Sequence, residues 1–179
     1  MGDRISLEWK SFLLRPEPKT ENREKFVEYT KSWLRPAEHE PETNFTVWAS
    51  DEDQPASSMP AQVAFKAVEA LSPELADAFH HRLLTAYFTE NRNIADDQVL
   101  LELAEEVGVD RAELEEIGAE RGREFTQRVM DEHNSAIEQG ITGVPAVVFE
   151  GSFGVPGAQP VETYTQLIER IEEKKAELA

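Results

Sequence analysis

The chain has 179 residues and no cysteine, and its 18 lysines and arginines against 36 aspartates and glutamates give a formal net charge of −18. Without cysteine these residues form no disulfide, no cysteine-ligated zinc or iron–sulfur site, and carry no thiol nucleophile. An acidic surface repels nucleic-acid phosphates and anionic membranes, so we expect neither as a partner. The first residues lack the apolar run of a signal peptide, and no stretch reaches the ~20 apolar residues of a membrane span, which together predict a cytoplasmic protein.

The first predicted element is a half-buried strand. Ile5, Leu7 and Trp9 alternate with polar residues, which is the period of a strand with one apolar face. We expect this strand to run to about Leu14, where two nearby prolines end it, because proline cannot donate to a strand ladder.

Helical patterns fill the middle of the chain, with apolar residues at three- and four-residue spacing and with prolines, aspartates and glycines at the helix ends. A polar loop over residues 37–58 interrupts the series, and we expect Phe45 and Trp48 in it to plug the core. Because glycine commonly ends helices, the pattern predicts a short helix over residues 110–118 and a longer one over 120–139. The other predicted helices cover residues 26–34, 60–71, 73–88 and 96–107.

The pattern changes after Gly140. Residues 145–149 form a short apolar run of β-branched and aromatic side chains, which predicts a buried strand. A Glu-Gly pair suits a tight turn, so residues 152–155 return as the second strand of a hairpin, and a last helix follows Pro160. The order strand, helices, hairpin, helix predicts an α/β fold in which the first strand and the hairpin share one sheet and the helical middle is an insertion.

Few side chains combine into a candidate site by spacing alone. His80 and His81 are adjacent, hence about 100° apart around a helix, so they cannot easily share a metal ion. We expect one of them to pack and the other to face solvent, and we expect His133 to be solvated. The glycines at 151, 154 and 157 lack the strand–glycine–helix context of a dinucleotide site. We therefore predict no catalytic residue, no metal site and no cofactor.

Three segments resemble the DsbA family of thioredoxin-like proteins. The most specific is the sequence TGVP at residues 142–145, followed by the strand at 146–149 and by FGVPGAQP at 153–160. Residues 7–16 (LEWKSFLLRP) resemble the second strand of the cytoplasmic, FrnE-like group, which is related to the 2-hydroxychromene-2-carboxylate isomerases. Residues 84–88 and 91–94 resemble parts of that group's helical insertion, so the resemblance covers nearly the whole chain.

The resemblance implies an α/β fold with an incomplete thioredoxin-like sheet and a large inserted α-helical subdomain. Residues 1–18 and 140–179 would form the thioredoxin-like portion, and residues 19–139 the insertion. It further implies that the peptide bond before the proline at position 145 is cis.

The substrate-binding residues implied by the resemblance are Thr142, Gly143, Val144 and Pro145. In such loops the backbone of the residue before proline can pair with an extended peptide or with glutathione. These two ligands are therefore the expected partners at this loop.

The chain departs from the family at its catalytic segment. Family members begin with a strand and then carry a Cys-x-x-Cys motif at a helix N-terminus, which lowers the thiol pKa and makes the dithiol reactive. This chain has neither cysteine, so no catalytic residue is carried over from the thiol–disulfide oxidoreductases.

We therefore expect a protein of the disulfide oxidoreductase lineage that is redox-inactive by itself. The alternatives are a non-catalytic peptide- or glutathione-binding module, or a structural homodimer that completes its sheet with a partner chain. A chain that is artificially short at its N-terminus would explain the missing segment equally well.

Overall fold

The computed structural model describes residues 5–19, 22–35, 44–151 and 153–178. Part of the predicted 37–58 loop, and the residue with which the returning strand was expected to begin, Ser152, lie outside these ranges. The chain divides into two compact units, Met1–Asn134 and Ser135–Ala179. The assignment of residues 1–18 and 140–179 to one thioredoxin-like portion, with 19–139 inserted, stays a prediction.

The first unit is helical. Among the residues that the structure describes, two single 3₁₀ turns accompany its helices: Lys31–Trp33 follows the first helix, and Pro73–Leu75 leads into the third. The helices whose full extent is described are α1 (Arg23–Thr30), α2 (Met59–Leu71), α3 (Ala76–Phe88), α4 (Asp97–Glu106) and α5 (Arg111–Glu138), the last of which crosses the boundary between the units.

Side-chain caps begin three of these helices. The Asn22 carboxamide oxygen before α1 and the Asp96 carboxylate before α4 each accept two backbone N–H groups of the first turn. The Asp110 carboxylate before α5 accepts the Glu113 N–H. Each cap satisfies donors that the helix itself leaves unpaired and contributes about 1 kcal/mol. The helix start predicted at Asp96 is confirmed.

The prediction that a helix ends at Gly118 is wrong, because α5 continues through Gly118 and Gly122 for 28 residues. A glycine inside a helix costs only about 1 kcal/mol relative to alanine. The buried side chains of Leu114 and Phe125, on either side of the glycines, belong to the main apolar cluster of this unit. Their burial outweighs the glycine cost and keeps the helix continuous.

Two clusters of buried apolar side chains stand out among the described residues of the first unit. The larger joins α2, α3, α4 and the first half of α5, with Val68, Phe79 and Leu103 fully buried at its centre. The smaller is aromatic and is built on Phe26, Trp33 and Trp48. The expectation that Trp48 plugs the core is confirmed, since its side chain is only 1% exposed, and Phe45 packs partly buried beside it.

Residues 5–14 do not form the predicted strand. Ser11 and Leu13 are buried, so the segment is packed, but the described part of the chain offers it no neighbouring strand. Side chains of α2 and α5 pair with its inward backbone groups instead. A strand needs a partner ladder, and period-two alternation in sequence does not supply one.

The second unit contains the hairpin and the last helix. Strand β1 (Ala146–Phe149) pairs antiparallel with β2 (Phe153–Pro156), and α6 (Val161–Leu178) follows. The turn uses two positive backbone angles, φ +51° at Glu150 and +68° at Gly151, of which the second suits glycine because it has no Cβ. The predicted hairpin and last helix are confirmed. Across the described ranges, the helices are too short or too polar to span a bilayer.

Candidate functional site

The loop predicted to bind substrate lies between α5 and β1 in the second unit. Gly140, at φ +79°, ends the helix: its N–H donates to the Ile137 carbonyl, and the Ile141 N–H donates to the Ala136 carbonyl, both at 2.9 Å. This is the αL termination that glycine permits. Residues 142–145 follow this helix end, and we call them the 142–145 loop. The Val144–Pro145 peptide bond in this loop is cis.

One backbone group of the 142–145 loop is hydrogen-bonded within the hairpin, and the backbone groups of the residue before it are not. The Pro145 carbonyl accepts the Gly157 N–H at 2.8 Å, which ties the loop to the end of β2. Among the hydrogen bonds of the described residues, none uses the N–H or C=O of Val144, whose side chain is 52% exposed. One donor and one acceptor on adjacent backbone positions can pair with an extended segment.

The surroundings of the loop are apolar and accessible. Thr142 and Pro145 are exposed, as is Pro156 of β2, which pairs with Ala146 directly after the loop. A Cβ added at Gly143 would meet no atom within 4 Å, so space remains beside this backbone. The loop can therefore offer backbone hydrogen bonds next to an apolar surface, and it holds no titratable group of its own.

A buried lysine in the first unit, Lys66 on α2, was not predicted from the sequence. Its side chain is fully buried, and its ammonium lies 3.0 Å from the Glu132 carboxylate and donates to the Trp9 carbonyl at 3.0 Å. The same Glu132 oxygen accepts the Ser11 N–H at 2.7 Å. One ion pair thus holds two backbone groups of the N-terminal segment.

His133, on α5, binds a third backbone group of the N-terminal segment. Its Nδ1 accepts the Leu13 N–H at 3.1 Å, and the residue is only 8% exposed. The prediction that His133 is solvated is therefore wrong. The only sequence signal for either residue was position: Lys66 interrupts an otherwise apolar run on α2, and His133 lies four residues after the buried Val129.

Glu132 is ionised in this arrangement. Burial opposes its charge, but hydrogen bonds from the Ser11 N–H and the Lys66 ammonium outweigh burial and hold the pKa of Glu132 below its ordinary value. Arg128 adds a contact at 3.2 Å and also pairs with Glu69 at 2.7 Å. Every charge in the cluster faces an opposite one, and the cluster holds the Ser11 and Trp9 backbone groups in place.

The adjacent histidines on α3 behave as expected, one packed and one exposed. The His80 ring stacks on Trp9 with centroids 3.8 Å apart, and burial together with the neighbouring His81 lowers the pKa of His80 despite Asp77. His81 is exposed, and its Nδ1 lies 2.8 Å from the Asp77 carbonyl. Within the described ranges no three His, Cys, Asp or Glu side chains converge in a way that could hold a metal ion.

The element order and the loop define the class of protein. A helical unit is followed by a helix end, a cis-proline, a β-hairpin and a last helix. This is an α/β architecture, an incomplete thioredoxin-like sheet with a large inserted α-helical subdomain.

The sequence then identifies the family within this class. Residues 2–169 match the family model of the DSBA-like thioredoxin domain, so the chain belongs to that family. It is 28% identical over 191 residues to YwbO of Bacillus subtilis (strain 168), a protein of uncharacterised function, with 97% of this chain and 86% of that protein covered.

Solved structures share the fold. A candidate protein disulfide isomerase from Nitrosomonas europaea aligns with a TM-score of 0.76 at 20% identity, over 89% of this chain and 79% of that one. The cytosolic disulfide reductase DsbM from Pseudomonas aeruginosa aligns with a TM-score of 0.65 at 23% identity, over 93% and 82% of the two chains. DsbM with GSH gives a TM-score of 0.66 at 22% identity, over 92% and 81%.

Proposed function

We propose that this protein of the disulfide oxidoreductase family carries out no thiol–disulfide exchange by itself and instead binds an extended peptide or glutathione at the 142–145 loop. The observation that carries the proposal is the open backbone of Val144 in the 142–145 loop, in a chain without cysteine. Thiol–disulfide exchange requires a thiolate, and none can form from these residues.

Binding at this loop would be backbone pairing of the kind that adds a strand to a sheet edge. Two hydrogen bonds to Val144 contribute about 1 kcal/mol each, so affinity must come in addition from apolar contacts with exposed side chains near the loop, such as Val144 and Pro156. The net charge of −18 favours a basic peptide over glutathione, which is itself an anion. The structure of DsbM with GSH supports glutathione as the second candidate ligand.

Calorimetric titration of the full chain tests this proposal. We expect saturable heat with a basic, extended peptide and weaker heat with reduced or oxidised glutathione. Pro145→Ala should weaken it, because the proline ring fixes φ at position 145 and alanine leaves the backbone next to Val144 free to rotate. Pro160→Ala is the matched control, an exposed proline outside the loop, and it should bind as the parent does. Absence of heat with both ligand classes contradicts the binding proposal.

Insulin reduction tests the redox part of the proposal. The purified chain should give the rate of buffer with dithiothreitol. A rate comparable to that of a thioredoxin would mean that electrons are exchanged without a cysteine in these residues, and the proposal would then be abandoned.

A second candidate role is that of a homodimer that completes its sheet across two copies. The observation that favours it is the two-stranded sheet: within the described residues both outer edges lack a strand partner, and an isolated hairpin is only marginally stable. Light scattering at micromolar concentration should then report a dimer, and a monomeric mass would count against this role.

The remaining assignments are also proposals. We place the chain in the FrnE-like subgroup on the resemblance of residues 7–16, 84–88 and 91–94. We also place it in the cytoplasm, for which the description of DsbM as cytosolic is the support. Nucleic acid and membranes are not proposed as partners, because the net charge opposes both. Cell fractionation with an antibody against the chain tests the compartment.

A further inference from the structure

The first unit contains an open cavity of about 760 Å³, separate from the 142–145 loop in the second unit. This volume lies within the range of roughly 300–1,000 Å³ that small-molecule sites occupy. Its walls come from the N-terminal segment, α1, the residues before α2, and the end of α3. It belongs to none of the sites described above.

The inner wall of the cavity is aromatic and held in place by packing. Trp33 is only 6% exposed, and its ring centroid lies 5.0 Å from that of Tyr87 and 4.9 Å from that of Phe88, both in edge-to-face contact. Interlocked rings offer a fixed apolar surface against which a flat apolar group packs with little loss of entropy.

The other lining residues include three cations, Arg15, Lys19 and Lys25, and the lining contains no carboxylate among the described residues. Acidic residues outnumber basic ones by 36 to 18 in the whole chain, so this lining is opposite in sign to the average surface. A locally basic, partly enclosed cavity focuses the field on an anion, while the acidic surface elsewhere repels it.

Arg15 is positioned by its own backbone. Its N–H donates to the Ser58 hydroxyl at 3.1 Å, and its carbonyl accepts the Ser58 N–H at 3.1 Å and the Ser57 hydroxyl at 3.0 Å. Its guanidinium carbon lies 5.6 Å from the centre of the Phe26 ring. The cation and the apolar wall are therefore held side by side.

We propose that this cavity binds a small organic anion that has a flat apolar body and one carboxylate, sulfonate or phosphate group. The apolar body packs on Trp33, Tyr87 and Phe88, and the anionic group is held by the cations of the lining. The proposal is independent of peptide or glutathione binding at the 142–145 loop.

The test is calorimetric titration of the full chain with 2-naphthoate and with 2-naphthalenemethanol, a neutral molecule of nearly the same shape. We expect saturable binding of the naphthoate and at least fivefold weaker binding of the alcohol. Raising the salt concentration should weaken only the naphthoate, because salt screens partly exposed charges.

The double variant Lys19→Gln/Lys25→Gln tests the charges. Both residues are exposed, so the fold should survive, and circular dichroism verifies it. Naphthoate binding should weaken by about tenfold, the size expected for two partly solvated charges, and alcohol binding by less than about twofold. Lys31→Gln is the matched control, an exposed lysine next to α1 that does not line the cavity.

Leu14→Trp tests the cavity itself. Leu14 lines it with a side chain that is 64% exposed, so a larger residue there should occupy the space without disturbing the core and should weaken both ligands. Three results would overturn the proposal: no saturable naphthoate binding below about 1 mM, equal binding of the neutral alcohol, or an equal loss in the Lys31 control. Pro145→Ala should leave naphthoate binding unchanged, which separates this site from the 142–145 loop.

Discussion

Replacing Lys66 by methionine should destabilise the protein by about 3 kcal/mol, because it leaves a charge without its partner inside the fold. Lys66 is fully buried and the Glu132 side chain is only 10% exposed, with 3.0 Å between ammonium and carboxylate. Removing one member of a buried pair costs about 3–5 kcal/mol. The lower end applies here because Arg128 and the Ser11 N–H still contact Glu132.

The substitution also removes the donor to the Trp9 carbonyl. We therefore expect the N-terminal segment to loosen as well, and the His80–Trp9 stack to weaken with it. Urea unfolding followed by circular dichroism gives the free energy, and tryptophan emission in the native baseline reports the surroundings of Trp9.

A matched control and a second substitution make the test specific. Lys31→Met removes an exposed lysine whose partner is the exposed Glu28, and it should cost less than about 1 kcal/mol. Lys66→Met/Glu132→Gln should recover part of the lost stability, since the neutral amide needs no counter-charge and its oxygen still accepts from Ser11. A loss below about 1 kcal/mol for Lys66→Met would refute the reasoning that this pair anchors the segment.

Two further predictions concern pH and backbone conformation. Burial and the charge of His81 hold the folded-state pKa of His80 below 6.5, its value in the unfolded chain, so this contribution to stability is fully present above pH 6.5 and is lost as pH falls through the folded pKa. His80→Gln should flatten the dependence of the urea midpoint on pH across that range. An unchanged pH dependence would contradict the prediction. Gly118→Ala should raise the free energy of unfolding by up to about 1 kcal/mol, because the position is helical and the added Cβ meets no atom within 4 Å. Gly140→Ala should lower it by about 1 kcal/mol, because φ is +79° at that position. Melting temperatures that move in the same direction for both variants would count against these backbone conformations.

Much of the fold could be predicted from neighbouring residues. The start of α4 at Asp96, the hairpin with its Glu150 and Gly151 turn, and the last helix after Pro160 all follow from patterns within a few positions. Caps, turns and apolar periodicity depend on residues only a few positions apart, so they can be predicted from the sequence. The 142–145 loop also came from a local motif, and its role as a ligand site stays a proposal.

Local sequence patterns do not suffice to place every helix end, as the helix predicted to end at Gly118 illustrates. Glycine at that position is compatible with an end or with an interior, and the difference amounts to about 1 kcal/mol. Packing of Leu114 and Phe125 in the main cluster decided for an interior. Burial of this kind depends on which helices meet, and no single stretch of sequence contains that information.

By itself the sequence determined the series of helices, the hairpin and the absence of a thiol. Only the tertiary structure decided the conformation and the hydrogen-bond partners of residues 5–14. Their alternation is typical of a strand, yet the Ser11 and Leu13 N–H groups donate to side chains 121 and 120 positions away, Glu132 and His133. Buried backbone groups must find partners, and which partners are in reach is set by the packing of distant helices rather than by neighbours in the chain.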